Sequence, residues 1–260
     1  MSINHDFFLY CIQKTYRVAQ TAMKKIIRQL FYLLLCPLYF IFSILQLLFL
    51  IFIPKKIYKN VYINLEEDEE NKRIESIKDY INPGDTILDV GSGNGRFGLK
   101  VANTLQVTVQ GVDVVDYADS SIPVHLYDGK KLPFQDKFFD VIFVAFVLHH
   151  TTNHEEIFSE LVRCARKKIV VIEDTYGSPW QKLFTIWNDY QTNIMQGYIK
   201  VLRGCAKSGV VDMPMPFTFR SVKGWESFFA KFNVRIEGSL LRHSFYKPLS
   251  KITFALNLKN

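Results

Sequence analysis

Three glycines at alternate positions follow directly after a short apolar run, within the sequence ILDVGSGNGRFG at residues 87–98. The run has strand character and ends at Val90, and the segment RFGLKVANTL has helical character. Because glycine adopts positive φ angles without steric cost, Gly91, Gly93 and Gly95 permit a tight turn from strand to helix. A ligand can approach the backbone of such a turn, and the first amides of the helix point towards it. The pattern predicts an α/β fold with a ligand-binding turn.

The glycine register and Asp89 distinguish between two cofactor classes. A dinucleotide fingerprint, G-x-G-x-x-G, can be placed on Gly93, Gly95 and Gly98. In that fingerprint, however, the first glycine follows an apolar strand end almost at once, whereas here Gly91 follows the strand and Asp89 lies near its end. The pattern D-x-G-x-G-x-G resembles motif I of the class I S-adenosylmethionine-dependent methyltransferases. A carboxylate suits this cofactor, which carries a sulfonium and an ammonium group and no pyrophosphate.

Later motifs occur in the order of the same family. VTVQGVD reads as a second strand that ends at Asp113, and an acidic residue about 20 positions after a glycine turn can bind both ribose hydroxyls. The order D-G, LPF, FDV and LHH resembles the type 11 methyltransferase subgroup over about residues 84–175. This resemblance implies that Asp128, followed by Gly129, accepts a hydrogen bond from the adenine amino group. It further implies that Ser92 contributes to binding S-adenosylmethionine.

The predicted fold class is α/β, a doubly wound, Rossmann-like, seven-stranded sheet that ends in an antiparallel hairpin. VRIEGSLLRHSF and KITFALNLK supply the two hairpin strands. We predict a membrane-associated N-terminal segment over residues 1–60 and a methyltransferase domain over 61–260. Residues 178–231 exceed the length of a simple crossover and are predicted to form a lid over the acceptor.

The charge distribution argues against nucleic acid as a partner. Of 32 basic and 25 acidic residues, eight and one lie within residues 1–60, so residues 61–260 hold 24 of each. A domain that binds phosphate backbones should itself carry the basic excess. We therefore expect no nucleic-acid partner. The sequence does not indicate an oligomeric state.

The N-terminal segment is predicted to associate with a membrane. Residues 30–53 contain no charged side chain and would form a helix of about 36 Å, enough to cross a hydrocarbon core of about 30 Å. Residues 8–30 form a basic amphipathic pattern suited to an anionic bilayer surface. Basic residues flank both ends of the apolar run and Pro37 interrupts it, so a single span and a monotopic arrangement both remain open. S-adenosylmethionine is cytosolic, which predicts that the catalytic domain faces the cytosol.

The candidates for substrate chemistry lie just beyond the fourth and fifth strands, where open α/β sheets bind ligands. His150, or its neighbour His149, is the predicted general base because the unperturbed pKa of histidine lies near neutral pH. A role in shaping the pocket is the alternative. Glu173 and Asp174 end the fifth strand and are predicted to contact substrate. A metal-assisted mechanism that uses Glu173, Asp174 and a histidine, as in catechol-type methyltransferases, is a further alternative. Those enzymes place an aspartate at the end of the fourth strand, and because this chain has none there, no metal ligands are assigned.

The lid region supplies further candidates. Asp189 and Asn193 are four residues apart, on one helical face, and are predicted to contact polar groups of the acceptor. The aromatic residues of the region either line an apolar acceptor pocket or pack against the sheet; they are Trp180, Trp187, Phe217, Phe219 and Trp225.

These features together predict a membrane-anchored methyltransferase that uses S-adenosylmethionine and modifies a small-molecule or lipid-like acceptor at oxygen, with nitrogen or carbon as alternatives. Two other classes remain open, an oxidoreductase that uses NAD and a scaffold protein that binds S-adenosylmethionine without catalysis. The four cysteines form no C-x-x-C pair, which suggests a reducing compartment and no structural zinc.

Overall fold

The computed structural model describes residues 67–116, 121–203, 215–244 and 247–259, together with some residues between 20 and 48, of which 37–45 are continuous. Residues 37–45 are helical and are called α1, and residues 67–77 form α2. The other helices are α3 (Arg96–Leu105), α4 (His154–Cys164), α5 (Pro179–Arg203) and α6 (Val222–Phe229). Short 3-10 helices follow α2 at Lys78–Tyr80 and the fourth strand at Leu148–His150.

Seven strands form one sheet in the order β3-β2-β1-β4-β5-β7-β6. Their bounds are β1 (Thr86–Val90), β2 (Thr108–Asp113), β3 (Val124–Leu126), β4 (Phe139–Ala145), β5 (Ala165–Thr175), β6 (Val234–His243) and β7 (Ser250–Leu258). β1 to β5 are mutually parallel, and β7 is antiparallel to both of its neighbours. The predicted Rossmann-like sheet with a C-terminal antiparallel hairpin is confirmed. Its strand order reverses beside β1, so the ends of β1, β2 and β4 form the crevice where such sheets bind ligands.

Helices cover both faces of the sheet, which explains why its central strands are almost uniformly apolar. On one face, Leu88 and Val90 of β1 pack in a core that includes Phe158 of α4 and Trp225 of α6. The alternate residue Ile87 faces a second core. Asp89 shares the side of Ile87, since side chains alternate along a strand. The carboxylate of Asp89 thus points towards α2 and α3.

One helix boundary differs from the sequence expectation. The amphipathic pattern predicts a helix over residues 153–167, but α4 ends at Cys164 and β5 begins at Ala165. Ala165 is fully buried and pairs with Phe139 of β4, while the Arg166 guanidinium binds the carboxylate of Asp140 at 2.8 Å. Strand pairing and this ion pair therefore override the helical periodicity of the segment.

Helix α1 packs against α5 through polar as well as aromatic contacts. Ser43 Oγ accepts a hydrogen bond from Trp187 Nε1 at 2.9 Å, and the hydroxyl of Tyr39 donates to Asn188 Oδ1 at 2.7 Å. The Phe40 ring lies 5.4 Å from that of Trp187. Part of the apolar run is thus attached to the helix that the sequence predicts as a lid.

The membrane predictions fall largely on residues outside the described ranges. The basic amphipathic pattern at residues 8–30 is described only at a few positions, and the apolar run at 30–53 only in part. Among the helices that the structure does describe, none combines the length and the apolarity needed to cross a bilayer.

Candidate functional site

The glycine turn, residues 91–95, leaves the carboxyl end of β1 and leads into α3. Gly91, Gly93 and Gly95 have φ angles of 72°, 56° and 76°, which residues other than glycine rarely adopt. The amide of Gly91 donates to the carbonyl of Val112 on β2 at 2.8 Å. A Cβ atom at Gly91 would lie 2.2 Å from Cγ2 of Val147. The backbone path and the contact with Val147 therefore both require glycine at position 91.

Asp113 ties the glycine turn to the end of β2. Its Oδ2 accepts the amide hydrogen of Gly93 at 2.7 Å, and its Oδ1 accepts that of Val115 at 3.1 Å. The residue is buried, so these hydrogen bonds replace water around the carboxylate. Asp113 thus lies against the turn, and its ribose-binding role stays a prediction.

Asp89 lies in an apolar environment beneath the turn, with Phe97 and Phe143 among its neighbours. Because it is desolvated by burial, the pKa of its carboxyl group is raised to about 7, although the nearby positive charge of Arg73 opposes the shift. The Arg73 guanidinium lies 4.6 Å from the centre of the Phe97 ring. Arg73 is one of several charged residues in an acidic helix and lies in no distinctive motif, so its position beside Asp89 could not be predicted from the sequence.

Asp128 lies exposed in the turn after β3, close to Asp113 in the sheet register. Its Oδ1 accepts backbone hydrogen bonds from Lys130 and Lys131, each at 2.9 Å, and these bonds hold the pKa of its carboxyl group below the usual value. Gly129 has a φ angle of 78°. The turn places Asp128 at the ligand-binding edge of the sheet.

The residues around the glycine turn fit S-adenosylmethionine. The hydroxyl of Ser92 is buried beside Gly111 and has no hydrogen-bond partner among the described residues. The space next to Cα of Gly93 is open. Asp113 and Asp128 could bind hydroxyl and amino groups through their carboxylates, and the carboxylate of Asp89 could attract a cation. This set of donors and acceptors suits a cationic nucleoside better than a pyrophosphate.

A second group of side chains lies beyond β4 and β5, and we call it the polar cluster: His149, His150, Glu173, Asp189 and Asn193. Nδ1 of His149 is 2.5 Å from Glu173 Oε2, and its Nε2 is 3.4 Å from Asp189 Oδ1. Asn193 Nδ2 donates to the same Asp189 oxygen at 3.0 Å. Nε2 of His150 lies 3.6 Å from that oxygen. Five residues predicted separately from three segments thus meet at one point.

The two carboxylates of the cluster change the acid–base character of His149. Burial alone would lower the pKa of this imidazole, but the charge of Glu173 and the hydrogen bonds to Glu173 and Asp189 outweigh burial and raise it to about 10. His149 is therefore protonated at neutral pH and cannot accept a proton there. This argues against His149 as a general base and leaves His150 as the candidate.

Asp174 lies outside the polar cluster, because successive side chains of β5 point to opposite faces. It is partly exposed and pairs in register with Lys251 of β7. Burial of its carboxyl group raises the pKa to about 6, against the attraction of Lys251. Asp174 does not lie with the other predicted substrate residues in the polar cluster, so its predicted contact with substrate stays a prediction.

The aromatic residues of the lid region divide between different roles. The ring of Phe219 stacks on His149, with centroids 4.4 Å apart, and this places it beside the polar cluster. Trp225 is fully buried in the core between the sheet and α6, so a pocket-lining role for this residue is excluded. Trp187 contacts α1, and Trp180 packs against Phe184.

The glycine turn and the polar cluster adjoin each other. β1 and β4 are neighbours in the sheet, and Val147 contacts the turn at Gly91 two residues before His149. A cofactor bound on the glycine turn would therefore lie next to the side chains of the polar cluster. Such an arrangement can position an acceptor group against the cofactor and hold a positive charge beside it.

Comparisons with known proteins agree with this geometry. The family model described as "Methyltransferase domain" matches residues 88–172. The chain is 28% identical over 131 residues to the ubiquinone/menaquinone biosynthesis C-methyltransferase UbiE of Cupriavidus taiwanensis, a match that covers 44% of the chain and 53% of the relative. The chain thus spans about half the length of the curated relatives it matches.

Solved structures share the fold. A chain of the complex between the Haloferax volcanii Trm112 methyltransferase activator and the putative methyltransferase aligns with a TM-score of 0.54 and 12% identity, covering 76% of this chain and 95% of that one. The geranyl diphosphate C-methyltransferase of Streptomyces coelicolor aligns with a TM-score of 0.52 and 12% identity, covering 75% and 80%.

Proposed function

Because the chain carries a class I S-adenosylmethionine-dependent methyltransferase domain of type 11, we propose that the protein methylates a small or lipid-like acceptor at a membrane surface, at an oxygen atom. The observation that carries the proposal is the position of the polar cluster, directly beside the glycine turn. The turn supplies the cofactor site and the cluster supplies groups that bind an acceptor hydroxyl.

The proposed reaction is an in-line displacement at the sulfonium methyl group. The acceptor oxygen forms a bond to the methyl carbon, the bond from carbon to sulfur breaks, and S-adenosylhomocysteine leaves. The hydroxyl proton passes to a base, for which His150 is the candidate because His149 is already protonated. The enzyme otherwise contributes alignment of the two reactants. Asp189, which Asn193 holds through a hydrogen bond, would receive hydrogen bonds from the acceptor.

Methylation at carbon is the second candidate, and the comparison with a C-methyltransferase favours it. A phenolate presents both an oxygen and adjacent ring carbons as nucleophiles. Both reactions would therefore begin from the same deprotonated acceptor, and product analysis separates them. The relative's name, which refers to ubiquinone and menaquinone biosynthesis, supports a quinone-like acceptor.

Exposed apolar side chains support the membrane location. On α1, Leu38, Ile41 and Phe42 are more than half exposed, and Leu183 of α5 is 66% exposed. Such contiguous apolar exposure on neighbouring elements is typical of membrane or partner contacts. Seven net positive charges in residues 1–60 would favour an anionic leaflet.

The contacts between α1 and α5 support a monotopic arrangement over a single span. Ser43 and Tyr39 bind side chains of α5, a helix that also carries the cluster residues Asp189 and Asn193. A bilayer-resident acceptor could then reach the site alongside α5. The catalytic domain would face the cytosol, where S-adenosylmethionine is available.

Purified full-length protein in detergent tests the cofactor and the reaction. We expect stabilisation against heat by S-adenosylmethionine and S-adenosylhomocysteine but not by NAD. Transfer of a radiolabelled methyl group to lipid extracts should fall at least about 100-fold in His150→Ala, the lower end of a usual general-base contribution. Stabilisation by NAD alone would indicate an oxidoreductase, and cofactor binding without any transfer would indicate a scaffold protein.

Vesicle flotation tests the membrane location. The full chain should float with vesicles that contain anionic phosphatidylglycerol, and replacing Leu38 and Phe42 with lysine should weaken flotation. Replacing the exposed Leu126 of β3, which lies on the sheet edge, is the matched control. A cysteine introduced at residue 5 should resist labelling from outside intact cells; labelling there would contradict the monotopic arrangement.

A further inference from the structure

The side chains of His149, His150 and Asp189 bring two imidazole nitrogens and one carboxylate oxygen within 4.8 Å of one another. His149 is fully buried and Asp189 is 7% exposed, so the group lies inside the protein. The three residues come from two elements, the 3-10 helix after β4 and the long helix α5. Their convergence is therefore produced by the tertiary fold.

The spacing of these atoms matches that of ligands around a tetrahedral metal ion. Metal–nitrogen and metal–oxygen bonds of about 2.1 Å place neighbouring tetrahedral ligands about 3.4 Å apart. The distances from Asp189 Oδ1 to Nε2 of His149 and to Nε2 of His150 are 3.4 and 3.6 Å. Two of the three spacings therefore fit such an ion, and all three ligand atoms lie within 4.8 Å of one another.

Other groups already hold two of the ligands in place. Glu173 Oε2 binds Nδ1 of His149 at 2.5 Å, which directs Nε2 of that ring towards Asp189. Metal-binding histidines commonly have such a carboxylate on the second ring nitrogen. Asn193 Nδ2 holds the Asp189 carboxylate at 3.0 Å.

An independent observation points to a missing partner. Oδ2 of Asp189 is buried and has no hydrogen-bond partner among the described residues. A buried carboxylate oxygen without a donor is unfavourable, and native proteins contain few of them. The two buried carboxylates of Glu173 and Asp189 also attract positive charge. The oxygen near both imidazoles is Oδ1, so a cation would reach Oδ2 only by binding both oxygens of the Asp189 carboxylate. It would take the place of the proton that His149 carries between Glu173 and Asp189.

We propose that His149, His150 and Asp189 form a binding site for one divalent transition-metal ion of the zinc type. Two imidazoles and one carboxylate suit Zn²⁺, Co²⁺ or Fe²⁺, whereas Mg²⁺ and Ca²⁺ prefer oxygen ligands. Three protein ligands leave a coordination position for water or for an acceptor hydroxyl. This departs from the sequence analysis, which assigned no metal ligands because it looked for an aspartate at the end of the fourth strand.

The ion would alter the role of His150 in the proposed reaction. As a ligand, His150 no longer accepts a proton, and the ion instead lowers the pKa of a hydroxyl group bound at the open position. This consequence rests on the proposed methyltransferase function. The binding site itself does not, so metal binding is measured without reference to activity.

The test uses tag-free, full-length protein freed of metal by dialysis against a chelator. Isothermal titration should show one equivalent of Zn²⁺ bound, and Co²⁺ should give the visible absorption of a tetrahedral site with nitrogen ligands. His150→Ala and Asp189→Asn should each weaken Zn²⁺ binding at least tenfold. His125→Ala is the matched control, because His125 is exposed and its imidazole contacts Gln110 instead; it should bind as the wild type does.

Two further measurements distinguish loss of the metal site from misfolding and from loss of cofactor binding. Each variant is first compared with the wild type by circular dichroism. Asn193→Leu removes the hydrogen bonds from Asn193 to the carboxylate and to the backbone carbonyl of Asp189, and it should weaken Zn²⁺ binding. Asp113→Ala should lose cofactor binding and retain Zn²⁺ binding, which separates this proposal from the methyltransferase function. Absence of stoichiometric binding, or wild-type affinity in His150→Ala and Asp189→Asn, would overturn it.

Discussion

The carboxylate of Glu173, near the end of β5, binds Nδ1 of His149 at 2.5 Å, and both side chains are fully buried. The second carboxylate oxygen accepts the amide hydrogen of Leu148 at 2.8 Å. One side chain therefore fixes both the backbone and the imidazole orientation of the 3-10 helix after β4. The position of His149 relative to Asp189 depends on this arrangement.

Replacing Glu173 with glutamine should destabilise the protein by about 3 kcal/mol, because it leaves a buried imidazolium with reduced compensation. Asp174→Asn is the matched control on the opposite face of the same strand. Since burial raises the pKa of Asp174 to about 6, its charged form is disfavoured in the folded protein at pH 7, so removing the charge should not destabilise the protein. Urea denaturation at pH 7 measures both. Equal losses in the two variants would contradict a specific role for Glu173.

Gly91→Ala should destabilise the protein by about 3 kcal/mol. The left-handed backbone conformation contributes about 1 kcal/mol, and overlap of the new Cβ with Val147 contributes the rest. Gly84→Ala is the control, since Gly84 has a φ angle of 85° but no atom within 4 Å of the added Cβ. The double substitution of Gly91 and Val147 with alanine should be less destabilised than the sum of the single variants in thermal unfolding. If the losses of the two single variants instead add up in the double variant, residues other than Val147 must move to accommodate the new Cβ atom.

The strands and the glycine turn could be predicted because their signals are local. Val90 ends an apolar run, Gly91 begins the turn, and Asp113 ends the next apolar run, as the structure has them. Parallel strands joined by helices then place Asp113 and His149 at one edge of the sheet, whatever the details of packing. The position of these candidate residues at one edge of the sheet therefore follows from the strand topology alone.

The contacts within the polar cluster could not be predicted in this way. His149 and Asp189 are 40 residues apart, and their contact depends on how α5 lies across the sheet. The same uncertainty made Trp225 a candidate for a pocket, whereas it fills the core beneath α6. Composition also could not reveal that Ser43, within the apolar run, binds Trp187.

Asp113→Ala should abolish the increase in melting temperature that S-adenosylmethionine causes in the wild type. The substitution removes the predicted ribose contact and also frees the amide of Gly93, which Asp113 Oδ2 binds at 2.7 Å. Asp136→Ala is the control, because the exposed Asp136 carboxylate binds Arg163, away from the glycine turn. A retained shift in Asp113→Ala would mean that the cofactor binds elsewhere.

The affinity for S-adenosylmethionine should rise as pH rises towards about 7 and then level off. Burial raises the pKa of Asp89 to about 7, so the carboxyl group is largely protonated at pH 6 and must ionise to attract a cation. In the absence of ligand, the stability of the folded protein changes with pH in the opposite direction. A raised carboxyl pKa makes the folded protein bind more protons than the unfolded chain, so stability falls as pH rises from about 4 to about 7.

Isothermal titration with S-adenosylmethionine between pH 6 and 7.5 measures this dependence in the wild type and in Asp89→Asn. The amide resembles the protonated acid in shape, so the variant should bind more weakly at pH 7.5 and lose the increase with pH. We expect up to a tenfold increase per pH unit in the wild type below pH 7, the limit for release of one proton. An unchanged pH dependence in Asp89→Asn would assign the titrating group to another residue or to the cofactor itself.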